Sequence, residues 1–346
     1  MRIHALRDVP AAAADEPAQS RRAGRRESLR RPLMRAMPRY ALALIGLLLA
    51  LPVAGSTPVA PSASAPPVPL LWKVSDADNS LYLLGSFHLL AKSDYPLSTD
   101  IDRAFDDAES LVFEVAPDDL ENPAITGMMM GLAKSDPTSS IDHTLSPDLK
   151  AQLDVRMRGL GLPAEQMHAF EPWFVDTMLV TLLGQRAGYA PDDGLDRQLM
   201  ARAKAAGKPA TGLETVQEQL STLDGTPMAE QVASLKEFID EGDAAPAKLD
   251  ELHKAWREAD IPTLERMTRE EMAELTPVTY QRLNVDRNRA WIPRFEAMLA
   301  QGKGHDVLVV VGALHLLGDD GVVALLRAKG YRVERICTAC ASANPH

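Results

Sequence analysis

The sequence predicts an α/β domain with a mixed central sheet and a large helical insertion. Three observations carry that prediction. Two β–loop–α–β units stand near the two ends of the chain, and each has a glycine at its first strand's end and a histidine three residues later: "LYLLGSFHLL" at 81–90 and "VVVGALHLLG" at 309–318. Between them, apolar residues recur at helical spacing over about 118–206 and 226–302. The first unit opens with apolar–polar alternation on both sides of Asp76-Ala77-Asp78-Asn79-Ser80, the pattern of a hairpin.

The elements follow in order. "LWKVSDADNSLYLLGS" gives the hairpin, "STDIDRAFDDAES" a helix with a Ser or Thr cap, and "LVFEVA" a buried strand. "GKPATGLET" at 207–215 reads as a glycine stop, a short strand and a helix beginning near Thr215. The last unit is a strand at 306–311, a helix from about Asp319 to Lys329, and a strand at 331–336.

Upstream, the composition changes. The chain of 346 residues carries a net charge of −11, yet residues 1–39 hold ten Arg against four acidic residues, a surplus of +6, so the remainder carries −17. An acidic body of that size disfavours nucleic acid and anionic membrane surfaces and tolerates cations. The basic start precedes "ALALIGLLLALPVAG" at 41–55, and small residues follow, so residues 1–55 read as a basic leader and secretory signal peptide. The apolar run is shorter than the roughly 20 residues that span a bilayer, and Pro52 interrupts its end. The expectation is an exported, periplasmic or secreted protein with no integral span after signal removal, with an uncleaved anchor as the alternative; Met34 or Met37 is an alternative start. Residues 56–69 form a Pro/Ser-rich linker, and 70–340 a single domain. Cys337 and Cys340, the only cysteines, suit a small disulfide loop in an oxidising compartment. They lack the context of a redox motif or a zinc site and read as structural or incidental.

The chemistry gathers at the strand ends. In open α/β sheets ligands bind at the carboxyl ends of strands, where loops of separate units converge. If both units join one sheet, His88 and His315 face a common cleft, and Gly85 and Gly312 let the chain turn or a ligand approach. A neutral imidazole nitrogen there suits a metal. Glu114, inside "LVFEVA", and Glu214, closing "ATGLET", are costly beside apolar runs unless paired or bound to a cation. Glu334 lies between Arg332 and Arg335 and reads as an ordinary ion pair. His168 reads as helix packing with Met167 and Phe170, His143 and His253 as surface residues, and His305 as a turn residue. Trp173, Trp256 and Trp291 read as core or lid, and Met128–Met130 as a buried helix or an apolar lid.

These stretches, with "YPLSTDIDRAFDDAESLVFEV", "GLDRQLMARAKAAGKPATGLETVQEQL", "DRNRAWIPRFEAML" and "VLVVVGALHLLGDDGVVALLRAKGYRVERI", resemble the TraB/GumN family, which includes TraB/PrgY-type pheromone-shutdown proteins and the Tiki proteases. The resemblance covers residues 71–336. It implies an α/β fold related to the erythromycin-esterase and haem-binding ChaN-like proteins, with two Gly-x-x-His motifs and a glutamate serving a divalent metal. Carried onto this chain, those are Gly85 with His88, Gly312 with His315, and Glu114. The "GLET" block adds Glu214, "DRNR" adds Arg287 and Asn288 for charge stabilisation or substrate contact, and "GLD" adds Asp196. Ser86 stands where the family usually has threonine and keeps the hydroxyl.

The function expected from this resemblance is an exported metal-dependent hydrolase, peptidase-like, acting on a peptide or other small carbonyl substrate. His88, His315 and Glu114 would hold Mn, Co or Zn, a carboxylate (Glu114 or Glu214) would act as base, and Arg287 would stabilise the oxyanion. The alternative is a non-catalytic binding or regulatory protein that sequesters a peptide or a haem-like ligand.

Overall fold

The computed structural model describes residues 65–134, 136–301 and 304–342. The leader, the apolar run at 41–55 and most of the 56–69 linker lie outside them. Six strands form one mixed sheet: β1 (Leu71–Ser75), β2 (Ser80–Ser86), β3 (Ser110–Val115), β4 (Ala210–Glu214), β5 (Val307–Gly312) and β6 (Arg332–Ile336), in the order β4-β3-β5-β2-β1-β6. The β1–β2 pair is the expected antiparallel hairpin, turned by Asp76, whose Oδ1 accepts from the Asn79 amide at 2.9 Å. β2, β5, β3 and β4 run parallel to one another, and β6 returns antiparallel to β1.

β5 ("VLVVVG") is buried at every position, as a parallel strand covered on both faces must be. It inserts between β2 and β3, so the first β–loop–α–β unit steps over β5 and the last steps over β2 and β1. That interleaving makes β2 and β5 neighbours, with Gly85 opposite Val311 and Ser86 opposite Gly312. The two Gly-x-x-His motifs therefore leave the sheet side by side.

The helices introduced here are α1 (Thr99–Asp107), α2 (Ala124–Leu132), α3 (Pro147–Gly159), α4 (Pro172–Arg186), α5 (Leu195–Ala206), α6 (Val216–Asp224), α7 (Met228–Glu241), α8 (Ala245–Glu258), α9 (Arg287–Leu299) and α10 (Val322–Ala328). α2–α5 and α7–α9 lie in the two stretches read as helical. α10 starts three residues after the expected Asp319, because Gly318 at φ +74° and the turn through Gly321 occupy the intervening chain. α6 begins behind Thr215 in a capping box with Glu218, where the sequence placed it. A turn of π-helix, Gln281–Asp286, runs straight into α9. Such turns shift the register of inward-facing side chains and recur at functional sites. Here Arg287 and Asn288, the first residues of α9, are both buried.

Among the described residues no helix is long and apolar enough to cross a membrane. Trp173, Trp256 and Trp291 are core residues. In α2, Met129 is buried and Met130 is exposed. Cys337 and Cys340 form a disulfide, and Thr338 between them donates its backbone N–H and its hydroxyl to Asp100 of α1 at 2.7 and 2.6 Å.

α4 is buried over Pro172–Gly184, and that run includes Asp176. Burial pushes the Asp176 carboxyl up to about 7; Ser234, which donates its hydroxyl at 2.6 Å, opposes the rise and Glu241 adds to it. The folded state thus holds this proton to near pH 7, while the unfolded chain releases it near 3.8. The stability it confers is full below the lower value and is lost as pH rises through the upper one. Asp176→Asn should remove that decline, gaining on the order of 3 kcal/mol over wild type at pH 8 and little at pH 4. Urea unfolding at both pH values reads this directly, and a gain independent of pH would disprove it.

Candidate functional site

Four parallel strands end along one edge of the sheet and carry the site. Glu114 is the penultimate residue of β3 and Glu214 the last of β4; His88 lies two residues past β2, and His315 three past β5, on a 3₁₀ turn at Ala313–Leu316. Helix α5 brings Asp196 to this edge, and α9 brings Arg287 and Asn288. All seven are linked in one buried hydrogen-bonded set of contacts or share one cavity wall.

Each imidazole is anchored through Nδ1. His88 Nδ1 faces Asp196 Oδ1 at 3.0 Å, and Ser86 Oγ lies 3.2 Å from the same oxygen. A carboxylate oxygen only accepts, so Nδ1 of His88 carries the proton. His315 Nδ1 faces Asn288 Oδ1 at 2.7 Å. The Asn288 amide cannot be reversed, because its Nδ2 donates to the Asp320 carbonyl at 2.9 Å. His315 Nδ1 therefore donates, and its Nε2 offers a lone pair, which meets Arg287 Nη1 at 3.1 Å. An oxygen partner on Nδ1 that leaves Nε2 as the basic nitrogen is the arrangement that orients metal-ligating histidines. Burial pushes the His315 pKa down to about 3, and Arg287 pushes it further in the same direction, so the ring is neutral.

Arg287 is the hub. Its Nη2 donates to Glu114 Oε2 at 2.6 Å and to Glu214 Oε1, and its Nε donates to Glu214 Oε2 at 3.1 Å. Nη1 also reaches the Leu283 carbonyl at 3.0 Å, in the π turn before it. The two carboxylates differ. Burial would raise Glu114, but Arg287 outweighs it, joined by the Gly312 N–H at 2.8 Å, and holds it at about 2. Glu214 is raised: burial outweighs Arg287, and the negative charge of Glu114 adds to the rise. Glu114 stays ionised while Glu214 has the higher proton affinity.

Glycine has two steric roles here. A Cβ on Gly85 would lie 3.0 Å from Leu70 Cβ and 3.2 Å from Ala313 Cα, so this glycine lets the two motifs pack together. It is close approach inside β2 rather than a sharp exit from the strand. A Cβ on Gly194 would come within 2.5 Å of the His88 carbonyl oxygen, and Leu195 N donates to the Phe87 carbonyl at 3.1 Å. Gly194 lets α5 start against the first motif and so sets Asp196 beside His88.

Three participants escaped the sequence reading. Gln219 of α6 donates to both Glu114 Oε2 and Glu214 Oε1, each at 3.1 Å. Trp256 of α8 donates its Nε1–H to the Gly85 carbonyl at 3.1 Å. His253, expected at the surface, is buried: its Nε2 meets Asp94 at 2.9 Å, and Arg257 binds the same carboxylate. The polar stretch around it looked solvated, but its partner lies 159 residues away. His168 also departs from simple packing, since Nε2 meets Asp154 at 2.7 Å. Glu334 pairs with Arg332 at 2.6 Å, as read.

With this geometry in place, the matches to known proteins are informative. The model of the TraB/PrgY/gumN family matches residues 70–335. The chain belongs to that family. An uncharacterized protein of Treponema pallidum (strain Nichols) is 24% identical over 276 residues, 75% of this chain and 80% of the relative. Uncharacterized protein YbaP of Escherichia coli (strain K12) is 24% identical over 246 residues, 71% of this chain and 87% of its own length. The Shigella flexneri protein of the same name matches to the same extent. The span matched by the TraB/PrgY/gumN model contains every site residue described above.

Whether the residues suit a divalent ion can be judged from the donors. Among the described residues no three His, Cys, Asp or Glu side chains are already grouped to hold a metal ion, because Arg287 lies between Glu114, Glu214 and His315. The donor chemistry does fit: two imidazoles anchored through Nδ1, an ionised buried carboxylate, and three formal negative charges (Glu114, Glu214, Asp196) against one arginine. A buried surplus of negative charge favours a cation.

Removing Arg287 would leave two buried carboxylates without a counter-charge. Arg287→Met should lower unfolding stability by about 3–5 kcal/mol, with partial recovery when Glu114→Gln and Glu214→Gln are added. Denaturant titration of the single and triple variants checks this; a single-variant loss below about 1 kcal/mol would contradict a buried clamp.

Proposed function

We propose that this TraB/PrgY/gumN-family protein is an exported metal-dependent hydrolase of peptides or other small carbonyl substrates. The observation that carries the reading is that two imidazoles from opposite ends of the chain follow the ends of adjacent parallel strands, each anchored through Nδ1. His88, His315 and Glu114 would hold the divalent ion, Mn, Co or Zn. The ion would supply Lewis acidity toward a carbonyl and its bound water.

The chain's own residues do the rest. Asp196 and Asn288 keep the imidazoles in one tautomer and one orientation. Arg287 keeps a fixed positive charge beside them, since its two carboxylates outweigh burial and raise its pKa. That charge would stabilise a developing oxyanion. The Glu114–Glu214 pair would take the proton of the attacking water, with Glu214 the member of higher proton affinity. The small walls of Phe113, Val115, Leu120 and Met200 keep bulk water away.

A second reading, a non-catalytic protein that sequesters a peptide or haem-like ligand, is favoured by one observation. Arg287 already bonds Glu114, Glu214 and His315, so these three are satisfied without a cation.

Elemental analysis of gently purified protein, with a peptide-library cleavage assay in added Mn, Co or Zn, separates the two. The hydrolase reading expects about one divalent ion per chain and cleavage that falls by about 10³-fold or more in His88→Ala and His315→Ala. Wild-type protein that binds no ion and cleaves nothing, yet retains a peptide, supports the second reading instead. Hydrolysis and metal content unchanged in both variants would end the first.

A further inference from the structure

Gln219 is 1% exposed, and its side-chain oxygen has no hydrogen-bond partner among the described residues. The orientation of that amide is dictated by its neighbours. Nε2 lies 3.1 Å from Glu114 Oε2 and 3.1 Å from Glu214 Oε1, so each of its two hydrogens has a carboxylate to meet. Reversing the amide would set an acceptor against two acceptors. Oε1 must therefore point the other way, and a buried acceptor left unmade costs about 1–3 kcal/mol.

The space beside it is small. Gln219 lines a cavity of about 10 Å³, the room of about one water, together with His88, Glu114 and Asp196, with apolar side chains that include Phe113 and Met200 on its other sides. Buried polar groups beside such a space are commonly satisfied by an ordered water with two to four polar partners. A larger ligand group meets the apolar walls, and an anion meets two carboxylates. The chemistry selects a compact hydrogen-bond donor.

We propose that this cavity binds the attacking water, with Gln219 Oε1 accepting one of its O–H bonds and so aiming its lone pair. The inference rests on the hydrolase reading above. In that reaction the water oxygen bonds to the carbonyl carbon as the carbonyl π pair moves onto its oxygen. The water proton passes to the Glu114–Glu214 pair that Gln219 bridges. The oxyanion pair then re-forms the carbonyl as the C–N bond breaks, its electrons staying on nitrogen, which takes up that proton. Gln219 is thus a catalytic residue that touches the nucleophile, besides holding the two carboxylates together.

Two measurements test it. A high-resolution crystal structure of the wild-type protein should show an ordered water within hydrogen-bond distance of Gln219 Oε1; a protein donor on that oxygen, or a dry cavity, overturns the proposal. Gln219→Lys keeps donation to both carboxylates and removes the acceptor, whereas Gln219→Met removes both functions. On a substrate that the wild type cleaves, Gln219→Lys should lower kcat by about 10²-fold, the scale of a misplaced reactant, with KM within about threefold and metal content unchanged. An unchanged kcat in Gln219→Lys overturns the proposal even if Gln219→Met does not fold. If the wild type cleaves nothing, the hydrolase reading fails and with it the catalytic role, while the crystallographic water separately decides the binding site.

Discussion

The site edge of this protein depends on one buried guanidinium. Arg287 is stripped of water, and a cation in that position is tolerated only if oxygen acceptors replace what hydration supplied. Glu114 and Glu214 do so, and they belong to neighbouring strands β3 and β4, whereas Arg287 belongs to α9. The clamp therefore ties the helical layer to the sheet at the point where both motifs emerge. Its planar fork matches two carboxylates in a way that lysine would not. The π turn before α9 matters for the same reason, since Leu283 within it receives the fifth direction of the fork and sets the inward register.

The same clamp creates an asymmetry. Two carboxylates share one positive charge, but Glu114 also receives the Gly312 N–H. Glu114 is thereby the permanently ionised member, and Glu214 carries the strain of burial next to it. His315, pressed by burial and by Arg287, stays neutral and keeps its Nε2 lone pair. A neutral nitrogen base, an ionised carboxylate and a carboxyl of higher proton affinity stand within one hydrogen-bonded set. Pairs of titratable groups pushed apart in this way are what acid–base chemistry near neutrality needs. Gln219 bridges the same two carboxylate oxygens that Arg287 Nη2 meets, so it belongs to the clamp as well as to the cavity.

The parts of the site that were legible in the sequence are those that violate local expectation. Glu114 and Glu214 stood out because a carboxylate in or beside an apolar strand needs a reason, and His88 and His315 because the same Gly-x-x-His pattern follows two strands. The resemblance added Arg287, Asn288 and Asp196. Residues in locally ordinary settings were not legible. Gln219 sits in a polar first turn of α6, where a solvated face is the simplest reading, and His253 lies on a charged helix. Trp256 read as core, which it is, but its N–H holding the Gly85 carbonyl depends on a residue 171 positions away.

The sequence by itself determined the kinds of element, their order, the mixed α/β class and the strand-end position of the reactive side chains, because alternation, helical periodicity, caps and glycine stops act over a few residues. Only the tertiary structure decided which strands are neighbours, that β5 enters between β2 and β3, and that Arg287 lies between two glutamates and against His315. The physical reason is range. Strand order and the partners of a buried charge are settled by packing and desolvation over the whole domain, and no window of local sequence contains those terms.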